Sequence, residues 1–120
     1  MTQRLIIAGG GLSGVLTAVA LAERRPDIEL TVLEAGPQLG GNLTWSFYAT
    51  DVQGEARDLV APFVNHEWDG YECTFQDFGR EFSTGDRSVT SDHFHQVAMG
   101  RLGDRVRLGD PNAALEFAFA

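Results

Sequence analysis

The run Gly9-Gly10-Gly11-Leu12-Ser13-Gly14 has the residue types and the spacing to cradle the phosphates of a dinucleotide. Gly9 lets the chain leave a strand in a tight turn. Gly11 puts no side chain between its backbone and a pyrophosphate, and Gly14 lets the following helix pack close to the strand. Such a helix begins with unpaired N–H groups and a partial positive charge aimed at the phosphates. Twenty positions after Gly14 stands Glu34, an acceptor-only side chain suited to the two ribose hydroxyls and repelled by a phosphate at the same place. Two rival chemistries fail at one position. A P-loop needs lysine after Gly14, and a nucleophile elbow around Ser13 needs glycine there; the residue is Val15.

The elements that must hold these residues are legible around them. Arg4 to Ala8 reads as a buried parallel strand, apolar without strict alternation. Leu12, Val15, Leu16, Val19 and Ala20 recur at helical spacing up to about Arg25. Pro26-Asp27 marks a turn, and Ile28 to Leu33 returns as a second strand, so that Glu34 falls at its end. This predicts a βαβ unit with a right-handed crossover. Ala35 to Asn42 is a loop in which Gly40-Gly41 permits a second close backbone approach to a ligand. Placed just after the acid, that pair favours flavin dinucleotide over nicotinamide dinucleotide.

Further along, Thr44-Trp45-Ser46-Phe47-Tyr48 is an aromatic cluster whose composition points to core packing. Glu55 to Val64 offers a short helical face interrupted by Pro62. Tyr71 to Phe75 and Arg80 to Ser83 are expected to pair as a hairpin around Asp77 to Gly79. Ser91-Asp92 opens a helix that Gly103 stops, Arg105 to Leu108 is expected as a third sheet strand, and Ala114 to Phe119 is a candidate fourth. The fold class expected is therefore α/β: an incomplete Rossmann-like βαβ fold binding FAD or NAD(P), with an inserted β-hairpin region, in one domain over residues 1–120.

Composition narrows the function. Net charge is −8, and all nine basic residues are arginines. That excludes a lysine Schiff base within the chain and argues against a nucleic-acid surface. Cys73 is alone, so no disulfide or zinc framework can form within the chain, and it reads as a buried, inert thiol of a reducing, cytoplasmic protein. His93 and His95, two apart on a helix, face different directions and read as surface histidines, so no metal is expected. The first strand is expected to begin almost at once, and no signal peptide is expected before it. Val15 to Ala22 is shorter than the about 20 residues of a membrane span, while peripheral membrane contact stays open.

One stretch is more specific than the glycine cradle. Leu-Glu-Ala-Gly-Pro-Gln-Leu-Gly-Gly-Asn-Leu-Thr-Trp-Ser-Phe, Leu33 to Phe47, resembles the N-terminal region of bacterial lycopene β-cyclases. So does the pattern of His66, Trp68, Tyr71 and Phe75 followed by Ser88-Val89-Thr90-Ser91 and Phe94. The resemblance runs from Arg4 to about Leu108. It implies a flavoprotein that closes β-ionone rings on linear lycopene, without net redox change but with reduced FAD, and with NAD(P)H as reductant. Ring closure passes through a carbocation, whose developing charge a reduced, anionic flavin can stabilise. By the same resemblance Gly9, Gly11 and Gly14 hold the pyrophosphate, Glu34 takes the ribose, and Gly40, Gly41 and Asn42 line the flavin's path. Gly10, Leu12, Ser13 and Ala35 are counted with them as cofactor-binding. Trp45 and Phe47 are candidates for shaping the apolar surroundings of flavin or polyene.

The sequence departs from that family where Leu43 replaces the usual histidine, Asp86 a common tyrosine and Gln76 a common proline. The family is far longer, so the resemblance places its acidic motif beyond Ala120 and assigns no catalytic residue to this chain, which is expected to be inactive alone. Glu34 also fits a free-standing NAD- or FAD-binding module without catalysis, though Thr44 to Phe47 is unexplained under it. Leu43 and Asp86 are compatible with a non-functional remnant.

Overall fold

The computed structural model describes residues 2–110. Its elements are β1 (Arg4–Ala8), α1 (Leu12–Arg24), β2 (Glu29–Glu34), β3 (Thr44–Tyr48), α2 (Glu55–Val60), β4 (His66–Trp68), β5 (Tyr71–Phe75), β6 (Phe78–Phe82), β7 (Asp86–Thr90), α3 (Ser91–Leu102) and β8 (Val106–Leu108). The described residues are mixed α/β and form one parallel and two antiparallel sheets.

The parallel sheet has the order β1-β2-β8. Arg4 to Ala8 stand opposite Glu29 to Leu33, and Val32 to Glu34 opposite Val106 to Leu108. The βαβ unit and the third strand thus form where the periodicity predicts them, Arg105 going instead to a short 3-10 turn before β8. The candidate strand Ala114 to Phe119 lies outside the described residues. Val15, Ala18 and Val19 of α1 close over Leu30 and Val32, and Phe94, Ala98 and Leu102 of α3 extend the same core. Two surface ion pairs join the helices at their rims: Arg24 with Glu55, and Arg101 with Glu23 at 2.9 Å. After α1, the Arg25 side chain hydrogen-bonds Asp27 and holds that carboxyl below its ordinary range.

The expected burial of β1 is corrected. Ile6 is 54% exposed and Leu5 38%, because among the described residues β1 pairs only with β2 and no element covers its second face.

The antiparallel sheet β3-β7-β4 centres on β7. Its inward side chains Trp45 and Val89 meet Phe94 and Phe63; the ring centres of Trp45 and Phe94 lie 5.0 Å apart, those of Phe63 and Phe94 5.1 Å. Core packing therefore accounts for Trp45, while Tyr48 is exposed. The helical face from Glu55 ends at Val60, and Pro62, which has no N–H for a continuing α-helix, sits in a 3-10 turn.

β5 and β6 form the expected hairpin with a tighter turn: Phe75 pairs with Phe78 across Gln76-Asp77, with Gln76 at φ 25°. No hairpin residue is buried, so Cys73 is half-exposed and not the buried thiol expected. Tyr71 stacks on Phe82 at 4.8 Å, and the hydrogen bond with Tyr48 pushes its phenol up.

α3 starts where Ser91-Asp92 predicts, and its cap is Thr90. The Thr90 hydroxyl accepts from His93 N at 3.5 Å and from Asn65 Nδ2 at 3.2 Å, while Thr90 N donates to Asn65 Oδ1 at 3.0 Å. Thr90→Ala is expected to cost about 1 kcal/mol in urea unfolding, with Thr90→Ser recovering most of it.

Candidate functional site

The site lies at the C-terminal end of the parallel sheet, where β1 passes into α1. Gly9 takes φ +99°, a conformation side chains rarely adopt, and its N–H donates to Leu33 O at 2.7 Å. Gly14 is closed on both sides: a Cβ there would overlap the Gly9 carbonyl oxygen and lie 3.2 Å from Ile7 Cγ2. Gly11, the residue before α1, faces open space, with nothing within 4 Å of where its Cβ would stand. No side chain caps this helix end and no acid lies in its first turn. Its leading N–H groups, those of Leu12, Ser13 and Gly14, come before the first intrahelical bond, from Val15 N to Gly11 O, and carry a partial positive charge.

Gly10 is the glycine whose role spacing did not reveal. It is buried, and a Cβ on it would overlap Leu39 Cδ2 and lie 3.2 Å from Glu34 Cβ. Its N–H donates to Glu34 Oε1 at 3.0 Å, and the other oxygen, Oε2, accepts from Gly36 N at 2.6 Å. The carboxylate therefore braces the glycine turn and the loop after β2. A carboxylate has about four acceptor positions, so two stay available for hydroxyls.

The loop over residues 35–42 is laced onto this end of the sheet. Gly40 N donates to Gly10 O at 2.8 Å, Gly109 N to Gly36 O at 2.9 Å, and Gln38 Nε2 to Gly41 O at 2.7 Å. Gly40, at φ +80°, is packed from below: its Cβ would lie 2.7 Å from Phe94 Cδ1 and 3.1 Å from Trp45 Cη2. Gly41 has open space instead, and Ala35 and Asn42 are exposed. Phe47 lines a cavity of about 280 Å³ together with Val52, Val60, Val64, Arg57 and Arg87.

The expected surface histidines are corrected. His93 and His95 are both half-buried and, as helical spacing requires, engage different segments. His93 Nε2 is 3.2 Å from Pro62 O, and His95 Nδ1 accepts from Leu39 N at 2.9 Å. Among the described residues no group of three or more His, Cys, Asp or Glu could hold a metal ion, and no helix is long and apolar enough to cross a membrane.

The residues present fit a dinucleotide. Open backbone at Gly11, uncapped N–H groups of α1 and the free lone pairs of Glu34 together suit a diphosphate and a sugar diol.

A family model described as "Lycopene cyclase protein" matches residues 4–114. The chain is 41% identical to a lycopene beta-cyclase of Pseudescherichia vulneris over 104 residues, 87% of this chain and 27% of that protein. It is 35% identical to the lycopene beta-cyclase of Pantoea ananas over 102 residues, 85% and 27% of the two chains. A lycopene beta-cyclase of a Paracoccus species is 33% identical over 118 residues, 97% of this chain and 30% of that one. The chain thus spans between a quarter and a third of the length of these relatives.

Proposed function

The chain belongs to the lycopene cyclase family, and from that membership we propose that it forms the FAD-binding part of a lycopene β-cyclase-like flavoprotein. The reaction would be the closure of β-ionone rings on lycopene, with NAD(P)H as reductant. The observation that carries the reading is the open backbone of Gly11 beside an uncapped α1, with the Glu34 carboxylate braced next to it.

The residues divide the work by chemistry. The N–H groups opening α1 bind and orient the diphosphate, whose charge the helix end favours. Glu34 accepts from the ribose hydroxyls and repels a phosphate on that sugar. Gly41 and Asn42 leave the loop's outer backbone accessible to the rest of the ligand. Trp45 supports the loop from beneath through Gly40. When bound and reduced, the flavin would supply an electron-rich ring system that favours developing positive charge.

The family resemblance assigns the cyclisation acid to none of these residues. The purified chain is therefore expected to make no β-carotene from lycopene, FAD and NADPH under anaerobic conditions. Equilibrium dialysis against FAD, NAD and NADP tests the binding claim. FAD is expected to be retained best and NADP least; clear preference for NAD would overturn the flavin reading in favour of a nicotinamide-dinucleotide module.

A further inference from the structure

We propose that His95 is a positioning residue for the cofactor cradle: its imidazole, reaching from α3, fixes the loop at Leu39 and through it the Gly10 turn. The inference rests on the flavin reading above for what the cradle holds. It rests on the structure for how the cradle is held.

A backbone N–H only donates, so the 2.9 Å contact from Leu39 N makes His95 Nδ1 a bare acceptor and puts the neutral ring's proton on Nε2. Leu39 is fully buried, which leaves its N–H no water to turn to if the ring nitrogen is withdrawn. The Leu39 side chain lies so close over Gly10 that a Cβ there would overlap it, and the next residue, Gly40, donates to Gly10 O at 2.8 Å. Gly10 N in turn donates to Glu34 Oε1 at 3.0 Å. Four residues distant in sequence are thus joined in one line, from His95 to Leu39, Gly10 and the Glu34 carboxylate.

The test uses His95→Leu, which keeps bulk and loses the acceptor, and His95→Asn, whose Oδ1 branches from Cγ as Nδ1 does. Amide hydrogen exchange in the ligand-free chain and FAD affinity by dialysis are read for each, with exchange in α1 and β2 as the control for folding. His95→Leu is expected to speed Leu39 exchange and weaken FAD binding about tenfold each, and His95→Asn to restore both to near wild type. If His95→Leu leaves either unchanged, or if the asparagine fails to restore them while α1 stays protected, the proposal is overturned. If exchange at Leu39 responds as expected but no variant, nor the wild type, retains FAD, the clamp stands and the flavin reading falls.

Discussion

Gly11→Val is expected to lower FAD affinity at least about a hundredfold while leaving stability to urea within about 1 kcal/mol of wild type. The two halves of that result have separate causes. Gly11 sits at φ −78° and ψ −170°, extended backbone that any residue adopts, and nothing lies within 4 Å of its Cβ direction. The fold therefore makes no demand for glycine there; under the proposed reading the demand comes from a ligand that must approach the bare backbone. Gly14→Val makes the contrast. Its Cβ would overlap the Gly9 carbonyl oxygen, a backbone atom that cannot step aside, so about 3 kcal/mol of stability should go with the binding. Urea unfolding and dialysis on both variants separate a glycine kept for the ligand from one kept for the packing. A valine at position 11 that binds FAD normally would remove the diphosphate from this end of α1.

Glu34→Ala is expected to cost about 2–3 kcal/mol in urea unfolding, an unusual amount for one acid at the end of a strand. The carboxylate accepts from two backbone N–H groups, Gly10 at 3.0 Å and Gly36 at 2.6 Å, and Gly10 is buried. Alanine leaves both donors without a partner. Glu34→Gln keeps one acceptor and sets an amide N–H against the second donor, so it should recover no more than one of the two bonds. FAD affinity should fall in both variants, because under the proposed reading the acceptor for the sugar is the same group that braces the turn. Full stability in Glu34→Ala would mean that the brace is not what holds the turn.

The glycine turn and its βαβ setting were legible because they are local. Two apolar runs, a helical stripe and an acid at a fixed interval fall within residues 4–34, and each signal depends on near neighbours. The reason for Gly10 was not legible, since the side chain that closes over it belongs to Leu39 in a loop. The same holds for His95, whose partner is 56 positions away and carries no motif. β4 and β7 were missed as strands because His66–Trp68 and Asp86–Thr90 are short and largely polar. Their pairing joins residues some twenty positions apart, which no period reports. The hairpin was found and its turn misplaced: Gln76 takes a positive φ, where turn chemistry leads one to look for glycine or asparagine. β1 looked buried because apolar runs read alike whether or not a neighbour covers them.

The central claim, that Gly9 to Gly14 and Glu34 together receive an adenine dinucleotide, meets its most direct test in a crystal structure of the chain grown with FAD. The account predicts diphosphate oxygens within hydrogen-bonding distance of the N–H groups opening α1, and ribose hydroxyls on the Glu34 carboxylate. FAD bound elsewhere on the chain, or a side chain filling the space beside Gly11 in the complex, would contradict it.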